Sequence, residues 1–261
     1  MSHNQVNELV PEGITFLRRV QEVADACAQH TDQQLPKMGK AAPQIFENLG
    51  TVLSILYRMG ACFWGCREGD HLIEYIVGRS CSTALAALSV MRFGYYDEAL
   101  SLARNVGEAS NLLTLFSRDK SSLERWRSLD DRTRKSEFSP VKVRLALEHF
   151  GLVDLGLINE DRYRQLSTIG THVSPQTKPQ NYNPMAVPTL GALFQDIGVL
   201  VTLNEIGTAV GFLAPPAAML LSLKRERWVH LKEAVIDLLS FVGGIHATDL
   251  DEVMRALQEN L

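Results

Sequence analysis

Cysteine and net positive charge are both scarce in this chain. Cys27, Cys62, Cys66 and Cys81 are the four cysteines among 261 residues, too few for the disulfide framework of a small secreted fold. The N-terminal stretch also lacks a basic region followed by an apolar one, so no secretory signal is expected. Both points predict reduced thiols and a cytoplasmic protein. The formal net charge is -4, which argues against a general nucleic-acid coat, because phosphate neutralisation drives non-specific affinity. Two short basic runs, Arg132-Thr133-Arg134-Lys135 and Lys224-Arg225-Glu226-Arg227, read as solvated helix ends or loops. Catalytic signatures are missing as well. There is no P-loop, dinucleotide-binding glycine pattern, zincin motif or nucleophile elbow, and no cofactor is expected. Internal repeats and low-complexity tracts are absent.

What is present is helical periodicity. Hydrophobic residues make up 46% and charged residues 21%, enough apolar content for a sizeable core. No apolar segment alternates over a strand length. The fold class predicted is an all-α antiparallel helical bundle with a four-helix core and additional N- and C-terminal helices. It forms one domain over residues 1–261, with its core at about 43–185 and the helices of 189–261 packed on it.

The first helix is predicted over Gly13 to His30, with Phe16, Leu17, Val20, Val23 and Ala24 inward, followed by a loop to Ala42. Pro43 suits a first helical turn, and the helix it opens carries Ile45, Leu49, Val52, Leu53, Leu56 and Met59. Asp70 to Phe93 is apolar or small nearly all round and reads as the buried central helix. Gly94 ends it, and an antiparallel neighbour runs from Tyr95 to Phe116. Ser121 and Glu124 fit a capping box for a short helix to Leu129, and Asp130 to Glu137 reads as an exposed loop. Ser139-Pro140 opens a helix through Val143, Leu145, Leu147 and Phe150. Asn159 or Asp161 caps one carrying Tyr163, Leu166 and Ile169. Thr171 to Pro188, with four prolines, is the longest irregular stretch, and such loops are often functional. Helices over Thr189–Leu213 and Ala217–Phe241 follow, and Thr248 caps a last amphipathic helix to Asn260.

Ile206 to Leu223 carries no charge and approaches the length of a membrane span. Pro215-Pro216 interrupts it, and adjacent prolines break a helix interior. The segment is therefore predicted as a helix ending near Leu213, a turn and a new helix, with no membrane span. A membrane-associated effector is the alternative this segment leaves open.

Three groups of side chains could carry chemistry. Cys62-x-x-x-Cys66 puts two thiols on one helix face with His71 just beyond. A zinc site would need a fourth ligand at suitable spacing; none is apparent, and free thiols with no metal are expected. In the helix after Gly94, Asp97, Ser101, Arg104, Glu108 and Asn111 fall within one side. They form either a solvent-facing stripe or a polar seam inside the bundle, with Arg104 held by Glu108. Arg79 favours the seam, since it lies in the nearly all-apolar helix and buried arginine is rare unless paired. The third group is Tyr163, Ser167, His172 and Ser174, where a helix runs into the proline-rich loop. His172 there could act as a general acid/base or bond the last carbonyls of its helix.

Two strings together resemble uncharacterised bacterial HEPN-like helical proteins. One is Tyr95-Tyr-Asp-Glu-Ala-Leu-Ser-Leu-Ala-Arg104-Asn-Val-Gly-Glu108; the other is Tyr163-Arg-Gln-Leu-Ser167-Thr-Ile-Gly-Thr-His172-Val-Ser174. The resemblance covers roughly residues 70–185. It implies a four-helix core, often dimeric, in a superfamily that includes RNA-cleaving toxins and phage-defence effectors. In the nuclease members an arginine precedes the histidine by five to seven residues. Here those places hold Ser167, Leu166 and Gln165, and Arg164 stands eight before His172.

Two functions follow as expectations. One is a metal-independent ribonuclease with His172, Arg104 and Ser167 as catalytic residues and Glu108, Tyr163, Arg79 and Ser174 as binding residues. A homodimer, RNA and a partner or antitoxin protein would accompany it. The other is a non-catalytic dimeric scaffold or small-ligand-binding bundle with the same polar seam.

Overall fold

Ile45, Leu49, Val52, Leu53, Leu56 and Met59 recur at steps of three and four, and all six are buried along one helix. The same logic repeats through the chain. The computed structural model describes residues 13–66, 69–152, 159–170, 175 and 177–242. Among them the elements, in chain order, are α1 (Gly13–Gln34), a 3-10 turn (Leu35–Lys37), α2 (Ala41–Gly60), α3 (Leu72–Arg92), α4 (Tyr96–Arg118), α5 (Lys120–Ser128), α6 (Asp131–Glu137), α7 (Pro140–His149), α8 (Glu160–Gly170), α9 (Asp196–Leu220) and α10 (Arg225–Phe241). No strand occurs among the described residues. The predicted Thr248 helix lies outside them.

The protein is an all-α helical bundle. Its core is four helices, α2, α3, α4 and α9, joined by one continuous apolar cluster. α10 packs on α2 and α9, α8 and α7 on α4, and α1 on α3. The central element is therefore α9 rather than the Asp70–Phe93 helix. Eighteen of the 25 residues of α9 are buried, whereas α3 exposes Tyr75, Arg79 and Leu85 on its outer side. Small residues let α9 seat closely. A Cβ on Gly198 would stand 2.5 Å from the ring of the fully buried Tyr96 on α4.

Pro215 and Pro216 do not end this helix, which runs on to Leu220. Each removes an amide donor, at a cost of about 3 kcal/mol in an ordinary helix interior. Burial on all sides outweighs that cost, and the break falls at Leu221–Lys224 instead. Residues 189–195, predicted as helix, are irregular. α9 is long and apolar enough to cross a membrane by length and composition, yet 72% of its most apolar window is buried inside the bundle.

Three other expectations give way. Of the predicted inward face of α1, Ala24 is buried and Val20 half-buried, but Phe16, Leu17 and Val23 are exposed; α1 buries Cys27, Ala28 and Thr31 with Ala24, in the half that docks near α3. α5 is capped not by Ser121 but by Asp119, which accepts from the Ser121 amide at 2.9 Å and from the Ser121 hydroxyl at 2.6 Å. Residues 130–137 form a short helix because the Asp130 carboxylate accepts from the amides of Arg132 and Thr133.

The proline-rich stretch has a structural task at the start of α4. Tyr95 gives that helix no side-chain cap. The cap comes from Gln180, whose side-chain carbonyl accepts from the Tyr96 amide at 2.7 Å and from the Asp97 amide at 3.4 Å. Gln180 in turn donates its own amide to Asp97 and its Nε2 to Glu98. The Tyr182 hydroxyl donates to Asp97 at 2.7 Å, and burial with that carboxylate beside it raises the phenol's pKa. From the other side, the Gln195 amide donates to the Tyr96 hydroxyl, which donates to the Leu193 carbonyl.

Candidate functional site

α4 presents its polar residues at steps of three and four, and α8 packs along it. The stripe is a seam within the bundle: Arg104 retains 12% of its side-chain exposure and Glu108 27%, and Asn111 is buried. Arg104 reaches the Glu108 carboxylate at 2.8 Å, one helical turn on. From α8, the Tyr163 hydroxyl lies 2.5 Å from Arg104 Nη2 and accepts its hydrogen bond. The guanidinium carbon also sits 4.4 Å from the centre of the Tyr163 ring. Arg104 is thus gripped by an ion pair, a hydrogen bond and a cation–π contact. Burial raises the pKa of Glu108 and outweighs the opposing pull of Arg104.

Beside this group opens a pocket of about 260 Å³. Asn105, Glu108, Asn111, Tyr163 and Arg144 supply its polar lining, with Leu112 and Phe138 among the apolar walls. Arg144, on α7, carries its own carboxylates, Glu160 at 3.3 Å and Glu148 at 3.4 Å. Sequence reasoning missed Arg144. Its only local signal was an arginine in the apolar run Val143-Arg-Leu-Ala-Leu147, the same signal that misdirected attention to Arg79.

The remaining site residues separate. Ser167 is on α8 and buried, and its hydroxyl has no hydrogen-bond partner among the described residues. Beside it, Leu166 packs on Leu100 of α4. Arg79 is exposed and takes no part, because α3 turns that side to solvent while its buried carboxylate is Glu74. Asp97 and Arg104 share a face of α4, but Asp97 is committed to the Gln180–Tyr182 loop. His172 and Ser174 lie outside the described residues. The cysteines are not on one helix face either: α2 stops at Gly60, and Cys62 and Cys66 belong to the link before α3.

The chain matches no family model, no curated protein and no solved structure. Function is therefore argued from the seam and its pocket.

Proposed function

We propose that the protein is a non-catalytic helical bundle that binds a small polar ligand of near-zero net charge in the pocket between α4, α7 and α8. One observation carries this: each cation lining or bordering the pocket is already met by carboxylate, Arg104 by Glu108 and Arg144 by Glu148 and Glu160. A phosphate would compete with Glu108 for Arg104, at the cost of leaving a half-buried carboxylate without its cation. A neutral or zwitterionic molecule can instead use the Tyr163 hydroxyl, the amides and the outer edges of the paired charges. Apolar contact would come from Leu112 and Phe138. The resemblance to HEPN-like helical proteins, which are often dimeric, supports such a role, as a homodimer in the cytoplasm. The test is thermal melting of the full chain with fragment-sized free amino acids and small amides, alongside nucleoside monophosphates. The expected result is a rise in Tm with members of the first group that is lost in Tyr163→Ala. Stabilisation by the nucleotides alone, or by nothing in the panel, would refute the proposal.

A second reading rests on the docking of α8 on α4, which brings together the two segments that carry the HEPN resemblance and joins them through Arg104 and Tyr163. In that reading the protein is a cytoplasmic, dimeric, RNA-cleaving toxin or phage-defence effector, restrained by an antitoxin-type partner. His172 would be the acid/base, Arg104 would face phosphate, and Ser167 would position the substrate. Incubation of the purified protein with total RNA decides it; no cleavage, or cleavage unchanged in His172→Ala, sinks it.

A further inference from the structure

The link between α2 and α3 brings together two thiols, an imidazole and a carboxylate. Cys62 and Cys66 come from the turn after α2, His71 from the residue before α3 and Glu74 from the first turn of α3. Their nearest ligand atoms all lie within 4.8 Å of one another, and Cys62 Sγ stands 3.4 Å from His71 Nδ1. Tetrahedral zinc, with Zn–S near 2.3 Å and Zn–N near 2.1 Å, sets neighbouring ligand atoms roughly 3.5 Å apart. One edge already has that length, and the widest needs to close by only about 1 Å. The Cys-x-x-x-Cys spacing is also within the range of zinc-binding turns.

The backbone is shaped for this convergence. Cys62 and His71 both adopt left-handed conformations, with φ of 53° and 52°, which cost a residue with a Cβ about 1–2 kcal/mol each. Cys62 occupies the helix-terminating position that ordinarily favours glycine. Its amide donates to the Met59 carbonyl, and the next amide donates to the Arg58 carbonyl. Thus two of the four donors sit where a side chain is conformationally expensive. The ends of the link are held as well: Gly60 and Gly78 bring α2 and α3 into backbone contact, and a Cβ on Gly60 would lie 2.6 Å from Gly78 Cα. Asp70 pairs with Arg127 at 3.0 Å, and Arg227 stacks over Trp64 at 4.7 Å. Glu74 is 2% exposed and also lines a separate, largely apolar cavity of about 430 Å³ at the C-terminal end of α4.

We propose that Cys62, Cys66, His71 and Glu74 form a binding site for a divalent cation of zinc type. Two soft sulfurs with one nitrogen select zinc over magnesium or calcium, and four protein donors make a closed, structural site. On binding, each thiol forms a metal–sulfur bond and gives its proton to solvent, so two protons leave per ion, while the imidazole binds neutral and the carboxylate ionised. The ion would staple the end of α2 to the start of α3 and fix Glu74 at the wall of the 430 Å³ cavity. This site is independent of the α4–α8 pocket.

The test uses the full chain, stripped by a chelator under reducing conditions and titrated with Co2+ as a spectroscopic probe. The expected result is a single equivalent bound, with thiolate-to-cobalt charge transfer and the strong visible bands of a tetrahedral centre, and displacement by Zn2+. Glu74→Gln should weaken binding by more than ~100-fold, beyond the range for loss of a merely supporting residue. Cys66→Ser, in an exposed turn outside the core, should cut the charge-transfer intensity by at least half, leaving the Cys62 thiolate alone, at unchanged helical circular dichroism. No tetrahedral spectrum at one equivalent, or affinity unchanged in either variant, would overturn the assignment.

Discussion

Gly198→Ala sets two physical effects of opposite sign against each other. In a helix interior alanine is favoured over glycine by about 1 kcal/mol, so propensity alone predicts stabilisation. The structure predicts the reverse. The new Cβ would lie 2.5–2.7 Å from three ring atoms of Tyr96, well inside van der Waals contact. The ring has little freedom to give way: Tyr96 is fully buried, and its hydroxyl is bonded to both the Leu193 carbonyl and the Gln195 amide. Overpacking of this kind costs about 1–3 kcal/mol, occasionally more. With the clash at the upper end of that range, the net expectation is destabilisation by about 2 kcal/mol after propensity is subtracted. That corresponds to a drop in Tm of roughly 4–8 °C for a chain of this size. Gly50→Ala is the matched control. It lies in the interior of α2 with nothing within 4 Å of the new Cβ, and should stabilise by up to ~1 kcal/mol. Denaturant melts of both variants, and of Gly198→Ala combined with Tyr96→Leu, complete the experiment. The double variant should show coupling above ~1 kcal/mol. If Gly198→Ala stabilises as Gly50→Ala does, α4 and α9 do not approach this closely and the reasoning fails.

Two further outcomes are expected. Because burial raises the pKa of Glu108, the folded state holds that proton more tightly than the unfolded chain does. Its stabilising contribution is then full below the unfolded value, near 4.3, and is lost as pH rises through the folded value. Compared with Glu108→Gln, the wild type should therefore gain in denaturant midpoint between pH 7 and pH 4.5; a loss would mean that the Arg104 pairing dominates. Gln180→Ala removes the cap of α4 and should cost about 1–2 kcal/mol. Hydrogen exchange should speed up first at the amides of Tyr96 and Asp97, and unchanged protection there would contradict the capping role.

The helical class and the clustering of polar residues on one side of α4 were legible in the sequence because both depend on local spacing; the burial of that side was not, because it depends on where α8 docks. Arg104, Glu108 and Asn111 fall together through steps of four and three, whatever the rest of the chain does. The centre of the bundle was not legible. Pro215-Pro216 is a local stop signal, and only burial by three other core helices overrides it. Gln180 was hidden for the same reason: a cap supplied from 84 residues away leaves no pattern at the helix it caps. Arg79 misled because a largely apolar helix can still turn one side, here Tyr75, Arg79 and Leu85, to water. Glu74 was overlooked as a fourth donor since it belongs to the next helix, and only the reversal of the link carries it back to Cys62 and Cys66.

The place of α9 bears on how the chain is made. The helix that α2, α3 and α4 all bury against begins only at Asp196, after those three helices have already left the ribosome. Until then Leu49, Leu56, Leu113 and Phe116 have no complete partner surface, and the nascent helices are exposed to chaperones and to one another. Synthesis that stalls before Asp196 would leave three helices of an unfinished core, a species that aggregates rather than functions. The last of the four core helices to emerge is thus the keystone, and folding of the bundle is bound to wait for it.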